Sequence, residues 1–167
     1  EKSIEVYKDP QWGILDYFVE QKKKGRIKHL GFSSHGRIPN LIEFLDYCGD
    51  AIDFCQIQLN YLDWTLQEAE EKYNILTKRN IPIWVMEPVR GGTLANLPED
   101  ARALLDTVDK EASSASFALR YAASIDGVFM VLSGMSTLEQ VRDNVRCFSE
   151  LKEITDEEIK LLERVKE

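Results

Sequence analysis

Apolar positions along this chain change their period again and again. Four short runs, "IKHLGFSS", "DFCQIQLN", "IPIWVMEP" and "VFMVLSG", each read as a strand. Between them the spacing becomes three and four. Trp12, Leu15, Phe18 and Val19 form one such stripe, and Ile38, Leu41, Ile42 and Leu45 the next. Leu66, Ala69, Tyr73 and Leu76 follow, then Phe117, Ala118, Tyr121, Ala122 and Ile125, then Leu138, Val141, Val145 and Phe148. Each stripe predicts an amphipathic helix.

Boundary signals sharpen these elements. Asp9-Pro10 reads as N-cap and first helical position, with Gly25 as the terminator. Thr65 with Glu68, Thr137 with Gln140 and Thr155 with Glu158 have capping-box spacing. A long connection from Val89 to about Glu111 predicts a short helix after Pro98.

Strand and helix alternating through four units predict an α/β protein with a parallel sheet and crossover helices. The 167 residues are expected to form a single domain, with strands near 27–34, 54–60, 81–87 and 128–134 and a terminal helix over 155–166. Two architectures suit that alternation, an open doubly wound sheet and part of a (β/α)8 barrel. A complete barrel needs roughly 200 residues or more, so four units amount to half of one.

Composition narrows the partners. A net charge of -8 argues against nucleic acid and acidic membranes, and Lys22, Lys23, Lys24, Arg26 and Lys28 read as a solvated helix end. Three cysteines at long spacings form neither a disulfide framework nor a zinc pattern, which suits a reducing, cytoplasmic setting. No run reaches membrane length and no signal peptide is visible. The chain begins at Glu1 rather than Met, which suggests a piece of a longer polypeptide.

In a parallel α/β protein, ligand-binding residues gather where strands meet the following loops. The strands here run into Ser33-Ser34-His35-Gly36, Gln56 to Asn60, Glu87 to Gly92 and Ser133-Gly134-Met135-Ser136. No G-x-G-x-x-G follows the first strand, and no Walker loop is present. "GRIKHLGFSSHG", "DFCQIQLNYLD", "IPIWVMEPVRGGTL" and "VLSGMSTLEQVRDN" fall in the order and near the spacing of the second half of the aldo-keto reductase fold. The chain resembles that family over about residues 10 to 150, most of all the branch that often carries a ferredoxin-type iron–sulfur segment.

The resemblance implies a second half of a (β/α)8 TIM barrel, an NADP or NAD cofactor, and hydride transfer to or from a small carbonyl or alcohol substrate in the complete protein. It implies that Ser33 and Ser34 hold the nicotinamide carboxamide, with Ser34 replacing the family's Asn. Gln56 is implied as a second carboxamide partner, and Met86 stands where the family stacks an aromatic on the nicotinamide. Val89, Arg90, Gly91 and Gly92 match the loop that approaches the pyrophosphate; the competing reading is a plain tight turn. Ser133, Gly134, Met135 and Ser136 lead into a helix N-terminus suited to an anion, with Gln140 and Asn144 toward the adenine end. For Gln140 the competing role is the capping box with Thr137.

Gly134 and Gln140 occupy places where NADP-preferring members carry Lys and Arg, so NADP and NAD are both expected. The catalytic Asp, Tyr, Lys and His implied by the family belong to the other half of the barrel, so no catalytic or metal-binding residue is expected in this chain. A [4Fe–4S] centre is expected only in a longer parent. His29 reads as a mid-strand core or interface residue and His35 as a loop anchor beside the nicotinamide or a contact to cofactor or substrate, while Tyr61 and Trp64 read as packing or as walls of a substrate cavity. Two functional classes stay open: the cofactor-binding half of a reductase, and a non-catalytic nucleotide-binding or interaction module. Either leaves strand edges to be covered by self-association or by the missing half-barrel.

Overall fold

The computed structural model describes residues 2–166. In chain order its elements are α1 (Lys2–Lys8), α2 (Ile14–Lys23), β1 (Gly31–Ser34), α3 (Ile38–Cys48), β2 (Phe54–Gln58), α4 (Asp63–Leu66) and α5 (Ala69–Lys78). Then come β3 (Ile83–Met86), a 3₁₀ stretch at Arg90–Ala95, α6 (Glu99–Asp106), α7 (Ser114–Ala123), β4 (Val128–Val131), α8 (Leu138–Ser149) and α9 (Asp156–Val165).

The four strands form one sheet in chain order, β1-β2-β3-β4, and every pair is parallel. Because side chains alternate along a strand, the register sorts them into two faces. On one face Cys55, Ile57, Ile83 and Val85 are fully buried. They pack with Leu41 and Leu45 of α3, Ala69 and Leu76 of α5, and Phe117, Ala118 and Ala122 of α7. Each fully buried Leu, Ile or Phe contributes about 1.5–3 kcal/mol, so this single face holds most of the hydrophobic stabilisation.

The other face carries Ser33, Phe54, Gln56, Gln58, Trp84, Met86 and Met130, all at least partly exposed. A parallel sheet is ordinarily covered on both sides. This one is covered on one.

The last helices differ from the rest. In α8 no residue is buried, and Leu138, Val141, Val145 and Phe148 of its apolar stripe are exposed. Helix α9 is held firmly: Arg120 of α7 donates to both carboxylate oxygens of Glu158, at 2.7 and 2.9 Å, and to the carbonyls of Lys152 and Glu153. Leu162 of α9 is buried beside Leu105 of α6 within the same core. Among the described residues no helix is long and apolar enough to cross a membrane.

Several expected boundaries move. The strands are shorter than 27–34, 54–60, 81–87 and 128–134. Ahead of β1, Leu30 donates its N–H to the Asp53 carboxylate at 2.7 Å, and Asp53 is in turn held by Lys22, so this segment is tied by side chains before the ladder begins. His29 is therefore exposed ahead of the strand, not within it. Asp9-Pro10 does not start a helix. The Asp9 carboxylate accepts from Gln11 N–H in a turn, and α2 begins only after Gly13, whose left-handed backbone (φ 52°) breaks any earlier helical path. The Thr65–Glu68 box is absent as well, because Thr65 lies inside α4 and Glu68 is itself left-handed (φ 53°) at the junction with α5. The boxes at Thr137–Gln140 and Thr155–Glu158 are both formed.

Candidate functional site at the carboxyl ends of the strands

Parallel register places Ser33, Gln56, Trp84 and Met130 in one row across the open face. One step further along the strands, Gln58 pairs with Met86. The Gln56 amide donates to the Met86 sulfur at 3.5 Å, which joins two of the expected site residues directly. Ser34 falls in the next row, with Ile57 and Val85 on the helix-covered face, and is only 7% exposed. The structure thus brings Ser33, Gln56 and Met86 together and sets Ser34 apart from them.

The Val89–Gly92 loop is shaped by its backbone. Glu87 (φ 56°), Arg90 (φ 49°), Gly91 (φ 60°) and Gly92 (φ 93°) are all left-handed, a region two glycines enter freely and two side-chain-bearing residues do not. Glu87 turns its carboxylate back onto the Gly91 N–H, and Arg90 N–H donates to the Glu87 carbonyl at 3.0 Å. Gly92 and Leu94 both donate to the Val89 carbonyl, closing a compact 3₁₀ turn around half-buried Val89.

Beneath this loop lies a polar network. Asp63 and Asn60 are fully buried. One Asp63 oxygen accepts from Gln58 and Asn60, each at 2.7 Å, and the other accepts Nε of Arg90 at 3.1 Å. Asn60 also donates to the Glu87 carbonyl at 2.8 Å, and its own oxygen accepts the N–H groups of Leu62 and Asp63. The loop after β2 and the loop after β3 are therefore one hydrogen-bonded unit.

At the start of α8 the Gln140 side-chain oxygen accepts from Ser136 N–H at 2.6 Å and from Thr137 N–H at 3.1 Å, while Gln140 N–H donates to the Thr137 hydroxyl. The capping role of Gln140 is realised, and it uses two N–H groups that a bound anion would want. Asn144, one turn on, donates to the Ser133 hydroxyl at 2.8 Å. Gly134, Met135 and Ser136 remain exposed.

His35 is exposed at the end of β1, on the rim of a groove of about 630 Å³ between α1, α2, α3 and the free edge of β1. The groove is lined mostly by apolar groups such as Tyr7, Phe18, Leu30 and Phe44. Tyr61 and Trp64 both pack against Tyr121 of α7, and Tyr61 is fully buried, so it is a core residue. Burial pushes its hydroxyl up to about 12, and no described group accepts its proton. Among the described residues no three His, Cys, Asp or Glu side chains come together to hold a metal ion.

Sequence reasoning overlooked two parts of this region. Trp84 and Phe54 lie on the same face as Gln56, and the period-two alternation of "FCQIQ" and "IWVM" contains that signal. Asp63 carries no comparable signal, since its partner Arg90 lies 27 residues away.

The Aldo/keto reductase family profile matches residues 6–167. The chain is 25% identical over 170 residues to the uncharacterized oxidoreductase YqkF of Bacillus subtilis (strain 168), covering 89% of this chain and 53% of that protein. It superposes on the aldo-keto reductase AKR11C1 of Bacillus halodurans in its apo form with a TM-score of 0.73 at 25% identity, covering 94% of this chain and 57% of that one. An aldo-keto reductase from Klebsiella pneumoniae, solved in complex with NADPH, shares the fold with a TM-score of 0.65 at 15% identity, over 91% of this chain and 52% of that one. The chain spans about half the length of these relatives.

Proposed function

The chain belongs to the aldo/keto reductase family, and from that premise we propose that it is the cofactor-binding half of an NAD(P)H-dependent carbonyl reductase barrel. The observation that carries this reading is the gathering of Ser33, Gln56 and Met86 on one open sheet face, beside a loop rich in left-handed backbone. A relative of the same fold is solved with NADPH, which supports a nicotinamide dinucleotide as the ligand.

The residues present fit such a group. Ser33 offers a hydroxyl and Gln56 an amide to a carboxamide, and the two are register partners on adjacent strands. The Met86 thioether is polarizable and held in place by Gln56, so it can lie against the face of a flat ring. In the Val89 to Gly92 loop the backbone N–H groups of Arg90, Gly91 and Gly92 are taken up within the turn, so the Arg90 guanidinium is the group this loop would bring to a diphosphate. Ser133 to Ser136 and Asn144 border the start of α8, where the helix dipole favours a further phosphate. A bound nicotinamide would supply the hydride, and these side chains would orient it and shield it from water.

Catalysis needs a positioned proton donor as well. In this reading it comes from the other half of the barrel, which also covers the open face and both sheet edges. Free cysteines and a net charge of -8 suit a cytoplasmic protein that recognises neither nucleic acid nor membrane. Titration with NADPH and NADH, followed by quenching of tryptophan emission, tests the proposal, because Trp84 lies in the same row as Gln56. Saturable quenching that weakens in Gln56→Ala is expected. The absence of quenching up to millimolar dinucleotide would overturn it.

A further inference from the structure

We propose that Asp63 is a positioning residue that fixes Arg90 for phosphate recognition. This rests on reading the Val89–Gly92 loop as part of the dinucleotide site.

Arg90 is attached by one edge only. Its Nε donates to Asp63, while neither terminal nitrogen has a protein partner or is buried among the described residues. About a third of the side chain remains in solvent, whereas Asp63 has none of its surface there. A guanidinium held at Nε keeps its two terminal NH2 groups as a rigid, unoccupied fork, the geometry that suits a phosphate.

The backbone supports the same conclusion. Glycine enters left-handed backbone freely, whereas a residue with a side chain does so at a cost, as Glu68 and Asn80 also do elsewhere in the chain. Here Gly91 and Gly92 are preceded by a left-handed arginine, and Glu87 is left-handed as well. Backbone strain of this kind persists where surrounding structure over-determines it, and it concentrates at functional sites. The over-determining structure is visible. Asn60 holds the Glu87 carbonyl, the Glu87 carboxylate holds Gly91 N–H, and Asp63 holds the arginine.

Asp63 is oriented independently of Arg90, since Gln58 and Asn60 both donate to its other oxygen. The carboxylate is thus a fixed anchor, and the arginine is the moving part it fixes.

The test compares Arg90→Lys, Asp63→Asn and the double variant, reading NADPH affinity and melting temperature on each. Lysine can neutralise Asp63 but cannot hold it and present a fork at the same time. Arg90→Lys is therefore expected to melt near the parent and to bind NADPH about tenfold more weakly. Asp63→Asn should weaken NADPH to a similar extent, and the double variant should bind no worse than either single one. An Asp63→Asn variant that folds and binds NADPH like the parent, while Arg90→Lys binds weakly, would overturn the positioning role and leave the loop assignment standing. Unchanged affinity in Arg90→Lys would overturn both. If Asp63→Asn does not fold, hydrogen exchange at Arg90 to Leu94 in Arg90→Lys replaces it as the second readout. Slow exchange with weak NADPH binding supports the proposal, and fast exchange makes the arginine a loop staple and overturns it.

Discussion

Phe54 and Trp84 stack with ring centroids 3.9 Å apart and planes 13° from parallel, on the face of the sheet that no helix covers. Gly31, the register partner of Phe54, makes the room for them. A Cβ at Gly31 would come within 2.5 Å of the Phe54 ring. The ring has Trp84 behind it and cannot swing away freely. Gly31→Ala is expected to cost about 1–3 kcal/mol of stability through this overpacking, with a shift in tryptophan emission. Adding Phe54→Ala should recover much of the difference. A double variant as unstable as Gly31→Ala alone would place the strain elsewhere.

Acid should loosen the end of the fold. Burial by itself would raise the Glu158 carboxyl, but hydrogen bonds from Arg120 and from Thr155 outweigh it and hold the group below its ordinary value of 4.5. A carboxyl depressed in the folded state gives stability that is complete above its unfolded value and is lost as pH falls through the folded one. Melting temperature should therefore fall on acidification below about pH 4.5. Glu158→Gln should remove part of that slope and cost about 2–4 kcal/mol at neutral pH, since Arg120 is left nearly buried without its anion. An unchanged acid limb in the variant would assign the slope to other carboxylates such as Asp53, which Lys22 and Leu30 N–H also hold low.

The apolar stripe of α8 predicts association. Leu138 and Val145 are 58% and 59% exposed on a helix with no buried residue, a surface that monomeric proteins seldom leave uncovered. Val145→Glu should leave monomer stability within about 0.5 kcal/mol of the parent while shifting sedimentation toward smaller species. Identical sedimentation of the two proteins would show that α8 is not the contact.

Carbonyl reduction by the isolated chain should be undetectable. Its buried tyrosines, Tyr61 and Tyr121, both have hydroxyls pushed up by burial, the opposite of what a proton donor near neutral pH requires. Loss of a general acid removes about 10²–10⁴-fold of rate. Turnover of an aromatic aldehyde with NADPH above buffer background would mean that another group here donates the proton.

Legibility in the sequence followed the range of the interaction. The parallel order of four strands and the boxes at Thr137–Gln140 and Thr155–Glu158 were readable because adjacent elements and three-residue spacings decide them. Thr65 and Glu68 have the same spacing and failed. There the Asn60 side chain captures Leu62 and Asp63 N–H and starts a helix earlier, so Thr65 is already inside it. Ser33, Gln56 and Met86 were anticipated one by one, yet their separation from Ser34 depends on register, which only the paired sheet defines. The Asp63 network spans two loops and left no trace in either.

The order β1-β2-β3-β4 has a further consequence, for how the chain reaches this structure. Each strand needs only the one made before it as a template, and no later segment must thread between two earlier ones. Closure entropy is therefore met one crossover at a time rather than in one long search. Such a sheet can grow from its newest edge at the pace of translation, each strand–helix unit docking as it leaves the ribosome. The edge at β4 is then the same kind of surface that β1, β2 and β3 each were in turn: a growing end.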